Sequence, residues 1–110
     1  MEYWFEEGCY IEEWSNSPTD PECSVAHVRL PALGQTRWHR LSGTSERYVI
    51  LQGEAIVEVG DAPGRKVKPR DVVVIAPEQR QRIYNPGPDE LRFLAVCTPR
   101  FVTQNYSDCE

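Results

Sequence analysis

The sequence predicts an all-β domain, and two observations carry that prediction. Its nine prolines fall between short apolar runs rather than inside them, where they punctuate the chain as turn signals. No segment sustains the 3.6-residue helical period over about 11 residues or more. Short β-rich runs at close, regular intervals indicate a sandwich or barrel.

Taken in order, the expected strands are Cys9 to Trp14, Ser24 to Leu30, Gln35 to Leu41, Arg47 to Gln52 and Ala55 to Val59. Val72 to Ala76, Arg80 to Tyr84 and Leu91 to Cys97 follow. Period-2 alternation in the second places Ala26, Val28 and Leu30 on one face and Val25, His27 and Arg29 on the other. His27 thus reads as exposed or lightly packed. Gln52-Gly53-Glu54 reads as a tight hairpin turn, with Gly53 supplying the unusual backbone angle. Asn85-Pro86-Gly87-Pro88-Asp89 is a second strong turn, and Gly60 to Gly64 is a loop. Glu6-Glu7 and Glu12-Glu13 read as solvated charges. The polar segment Arg100 to Glu110 is expected to lie over the surface or against a partner subunit.

Length and charge narrow the function. At 110 residues the chain suits one domain, and 40% hydrophobic residues suffice for a modest core. A net charge of −5 argues against nucleic acid and against an anionic membrane surface. No apolar run approaches the roughly 20 residues of a membrane span. The start, Met1-Glu2-Tyr3-Trp4-Phe5-Glu6-Glu7, lacks the basic and apolar regions of a signal peptide, so a cytoplasmic location is expected. Cys9, Cys23, Cys97 and Cys109 show no paired spacing, and free thiols are expected. No phosphate-binding, dinucleotide-binding or nucleophile-elbow motif is present.

The chemistry concentrates between Gly34 and Gly53. Gly34 is followed by His39, then Glu46, and six residues (Arg47 to Gln52) separate Glu46 from Gly53. A second patterned stretch runs from Arg70 to Asn85 and leads through Pro86-Gly87 into the apolar run Leu91 to Cys97. Here the chain resembles the cupin superfamily, whose first motif runs glycine, His-x-His, glutamate, six residues, glycine. The resemblance covers nearly the whole chain and implies a closed antiparallel jelly-roll barrel with a small-molecule pocket inside. It also implies one domain over residues 1–110. Within it, an N-terminal strand at about 1–14 would be exchanged in a homodimer, the barrel would span about 15–99 and the tail 100–110. Tyr3, Trp4, Phe5, Tyr10, Ile11 and Trp14 suit such an exchange or else cap their own barrel.

The departures bear on function. The second histidine of the first motif falls on Leu41, and the histidine of the second motif on Gln81. The second motif's opening glycine, its proline and its inner glycine become Arg70, Ala76 and Glu78. The donors left to a metal such as Fe, Mn, Ni or Zn are His39, Glu46 and Gln81, of which Gln81 offers only a neutral amide oxygen. Without a metal, His39 is a candidate general base oriented by Glu46, or the two form a structural hydrogen-bonded pair. Tyr48, two residues beyond Glu46, points the same way and is a candidate acid or a core aromatic. Arg37 shares an inward face with His39 if that strand alternates, where it binds a carboxylate or phosphate; otherwise it pairs with Glu46 or reaches solvent. Ile83 and Cys97 line the same interior, and Trp38 faces away from it. A polar or anionic metabolite is the expected ligand. The same residues also suit a non-catalytic binding module or an interaction protein with a filled barrel.

Overall fold

The computed structural model describes residues 1–110. It contains eleven strands: β1 Tyr3–Phe5, β2 Cys9–Ser17, β3 Asp20–Leu30, β4 His39–Leu41, β5 Ser45–Gln52, β6 Ala55–Val59, β7 Arg65–Val67, β8 Val72–Ile75, β9 Gln81–Tyr84, β10 Leu91–Thr98 and β11 Tyr106–Asp108. The only helical segment is one 3-10 turn, Thr103–Asn105, so no helix is long and apolar enough to cross a membrane. Two antiparallel sheets face each other. One has the order β1-β2-β3-β10-β5-β8 and the other β11-β4-β9-β6-β7. The jelly-roll expectation holds.

Alternation builds the core. On β10, Leu91, Phe93, Ala95 and Cys97 are buried while Arg92, Leu94, Val96 and Thr98 are turned toward the outer face. On β5, Glu46, Tyr48 and Ile50 point inward by the same rule. Register then sets neighbours: Cys97 stands opposite Glu46, Ala95 opposite Tyr48 and Phe93 opposite Ile50. Tyr48 and Phe93 meet edge to face at 4.8 Å, within a core that also holds Leu30, Val57, Ile75 and Ile83.

Several expectations need correction. Gln35 to Leu41 is not one strand: only His39–Leu41 is regular, and Gln35 makes a lone bridge to Tyr84. Gly53 does take a positive φ of 83°, but β5 and β6 lie in different sheets, so the turn is a corner rather than a hairpin. A Cβ there would stand 2.8 Å from the Glu90 carbonyl oxygen, which only glycine avoids. The tail is not loose cover: β11 pairs with β4, placing Ser107 opposite Arg40. His27 is 9% exposed, because Trp14 stacks on its ring at 5.3 Å from the outer side of the sheet.

Candidate functional site

The two sheets bring one group of polar side chains into the interior. Sheet one supplies Glu46 and Tyr48 from β5 and Cys97 from β10. Sheet two supplies His39 from β4 and Gln81 from β9, which are register partners. All five are buried, with Gln81 at 1% and His39 at 3% exposure. The sheets are stitched together by Gln81. Its Nε2 donates to Glu46 Oε1 at 2.7 Å, and its Oε1 accepts from the Tyr48 hydroxyl. Cys97 makes only a long 3.9 Å thiol contact with Glu46 Oε2, so that oxygen is the least committed acceptor of the group.

His39 does not pair with Glu46. Its Nε2 lies 2.9 Å from Glu7 Oε2 and its Nδ1 lies 2.7 Å from the Arg37 carbonyl oxygen. Both ring nitrogens face acceptors, so the doubly protonated imidazolium fits the site. Burial opposes that charge, but the hydrogen bond and charge of Glu7 outweigh it, and the His39 pKa is pushed up to about 9. The Tyr106 ring of β11 stacks on the imidazole at 5.4 Å. His39 is therefore unsuited to the expected role of general base oriented by Glu46. Glu46 is raised to about 7, chiefly by burial and then by the charge of Glu7, with His39 and the Gln81 bond opposing. Burial also pushes the Tyr48 hydroxyl and the Cys97 thiol up, keeping both protonated.

Of the pair Glu6-Glu7, expected to be solvated, Glu6 is exposed but Glu7 is not. Its side chain is only 13% exposed, and it accepts from the buried Cys9 thiol at 3.3 Å. Gly8 accounts for the placement. At φ 111° it turns the chain between β1 and β2, where a Cβ would stand 3.1 Å from the Gln35 carbonyl oxygen. Arg37 N–H then ties to the Glu7 carbonyl at 2.7 Å. The Gly8 turn after an acidic pair was the only local signal. Tyr106 lay in a tail with no readable pattern at all.

Arg37 is corrected in the opposite sense. The irregular backbone before β4 breaks the alternation, and Arg37 turns outward to pair with Asp108 at 3.0 Å, with both side chains 45% exposed. Trp38 faces outward as expected, between Arg80 and Arg82, whose guanidinium carbons sit 4.1 and 4.4 Å from its ring.

A cavity of about 50 Å³ opens beside this group. Of its 20 lining residues 13 are hydrophobic, among them Leu41, Phe93 and Tyr106, and its polar wall includes Glu7, His39 and Glu46. No lysine or arginine lines it. The metal that the cupin resemblance implies meets a donor set that does not fit. No three His, Cys, Asp or Glu side chains are gathered as a metal would need. His39 is held by Glu7 and Arg37, both heteroatoms of the Gln81 amide are bonded to Tyr48 and Glu46, and Leu41 donates nothing.

Comparison with known proteins agrees with this architecture. A double-stranded β-helix protein from Klebsiella pneumoniae superposes with a TM-score of 0.81 at 16% identity, covering 98% of this chain and 84% of that one. A predicted oxalate decarboxylase from Thermotoga maritima gives 0.79 at 22% identity, covering 90% of each chain. The nucleoside dehydratase Pac13 of Streptomyces gives 0.83 at 13% identity, covering 100% of this chain and 84% of that one. At these identities the likeness is one of fold. No curated protein matches in sequence. The cupin domain model matches residues 26–97, and the chain belongs to the cupin domain family.

Proposed function

We propose that this cupin binds a small metabolite by an uncharged, hydroxyl-bearing end in the barrel and that Glu46 acts on it as a general base. The observation that supports this is Glu46 itself. It is buried, lines the cavity, has a pKa near 7 and keeps Oε2 almost free of partners. A base with a pKa near the working pH is the favourable case for proton transfer. A proton taken from a hydroxyl or an acidified C–H is returned by the same carboxyl to a neighbouring atom. That is proton-neutral isomerisation chemistry and needs no co-reactant. His39 and Glu7 set the field around Glu46, and Tyr48 holds Gln81 in register. The carboxylates and the absence of lysine and arginine favour an uncharged group over an anionic one at this position. No step passes through a metal.

A second reading, a binding module without chemistry, is favoured by a different fact. Every buried polar side-chain atom already has a hydrogen-bond partner, so the network is stable as a purely structural one. The test is a thermal-shift and NMR screen of polyols, pyranoses, uridine and oxalate against the protein, Glu46→Gln and His39→Gln. Stabilisation by a neutral hydroxylated compound that disappears in both variants supports a barrel site. Conversion of that compound by the unaltered protein separates the enzyme from the module. Stabilisation that persists in both variants refutes the site.

A further inference from the structure

A shallow, largely open surface depression of about 240 Å³ lies beside the inner cavity and shares Glu13, Asn16 and Phe101 with its wall. The inner volume of about 50 Å³ is about a third of an apolar cavity that takes up benzene. It accepts a small terminal group, and a longer metabolite can extend past the shared wall into the outer depression.

That depression carries the only arginine or lysine lining either cavity, Arg100. Its Nη1 donates to the neutral Asn16 Oδ1 at 2.8 Å, and no carboxylate lies within ion-pair distance of it. Asn16 is fixed in turn, its Nδ2 donating to the Phe101 carbonyl at 2.8 Å. The backbone is anchored on both sides: Arg100 N–H to the Pro21 carbonyl at 3.1 Å and Phe101 N–H to Ser24 Oγ at 2.9 Å. A half-buried guanidinium held by a neutral amide keeps most of its fork free for an oxyanion. Thr103 and Gln104 add polar groups to the same wall.

We propose that Arg100 forms an anion subsite, so that the ligand is bipartite: a small hydroxylated end inside the barrel and a phosphate monoester or carboxylate on Arg100. The inner half of this assignment rests on the barrel reading above; the Arg100 half stands by itself. It explains how an interior without lysine or arginine can serve an anionic metabolite. Glu13 lines the same depression but makes no ion pair with Arg100, whose direct partner is the neutral Asn16, so the guanidinium charge is not cancelled by a contact.

The test is an NMR titration of the ¹⁵N-labelled protein with glycerol 3-phosphate, glycerate, inorganic phosphate and glycerol. Glycerol 3-phosphate or glycerate is expected to shift the Arg100 side-chain signal and the amides of residues 101–104, and glycerol alone is not. Comparison of the first two identifies the preferred anion. Arg100→Gln should weaken that binding about tenfold or more, the loss of a charge-assisted fork. Asn16→Asp, which sets a carboxylate against the guanidinium, should do the same with less disturbance of packing. Unchanged spectra elsewhere show that both variants fold. Shifts at residues 100–104 without shifts at Tyr48 and Phe93 would retain the anion subsite and remove the barrel reading. No shift at Arg100 with any anion, or equal affinity in both variants, overturns the proposal.

Discussion

Replacing Glu7 with glutamine keeps an oxygen against His39 Nε2 but removes the charge that holds the imidazolium. In the native protein, burial opposes the charged ring, yet the Glu7 bond at 2.9 Å and its charge raise the His39 pKa from 6.5 to about 9. A raised pKa means that the folded state holds its proton more tightly than the unfolded chain. The stabilisation is fully present below about pH 6.5 and is lost as pH rises through about 9. At 3% exposure the ring is little screened, and the shift corresponds to something on the order of 3 kcal/mol. Glu46 acts in the same direction in a lower window. Its pKa rises from 4.5 to about 7, so its contribution is lost between those values as pH increases. Urea unfolding between pH 5 and 9, with an NMR titration of the His39 ring, separates the two. The unaltered protein should lose stability through both windows, by at most about 1.4 kcal/mol per pH unit for each group. Glu7→Gln should flatten the upper window and lower the His39 pKa, because desolvation is then opposed only by the Arg37 carbonyl and the charge of Glu46. Glu46→Gln should flatten the lower one and lower the upper midpoint slightly, since the charge of Glu46 is a minor cause of the His39 shift. A His39 that titrates at or below 6.5 in the native protein, or an upper slope unchanged by Glu7→Gln, would refute the account.

Other outcomes follow from single contacts. Tyr48→Phe leaves Gln81 Oε1 buried without a donor and should cost about 1–3 kcal/mol. An unchanged urea midpoint would show that the bond contributes nothing. Arg70 is exposed and sits at φ 79°. An L-residue there costs about 1–2 kcal/mol, partly offset by glycine's greater unfolded-state entropy. Arg70→Gly should therefore raise the melting temperature by a few degrees, and a fall would refute the strain. Leu41 and Gln81 flank His39 on the inner face of one sheet. The double variant Leu41→His, Gln81→His supplies two imidazoles, and calorimetry should show nickel or zinc binding that the parent lacks. Equal binding by both proteins would mean that the native donors suffice.

The residues also show where sequence reading reaches its limit. Strand positions and inward faces were legible because alternation is local. The inward face of β3 that carries Val28 and Leu30 follows from period 2 alone. The motif spacing identified Glu46, His39 and Gln81 as one interior group, since residues on paired strands of a barrel must converge. Where the strand broke, at Gln35 to Trp38, the periodic argument broke with it and misplaced Arg37. The backbone also outlasted its own signature. Arg70 and Glu78, standing where the cupin pattern has glycine, keep positive φ angles of 79° and 72°.

What the sequence by itself determined is the all-β class, the jelly-roll barrel and the identity of the buried polar row. Each depends on interactions between near neighbours or on a spacing that survives without its usual histidines. Which group each side chain answers to was decided only by the tertiary structure. Glu7 and Tyr106 come from opposite ends of the chain to enclose His39, and Asn16 meets Arg100 across a separation of 84 residues. Such contacts carry no periodicity. They arise when two sheets close on one another, and that closure turns an isolated histidine into a buried cation and leaves Glu46 with the freest oxygen in the barrel.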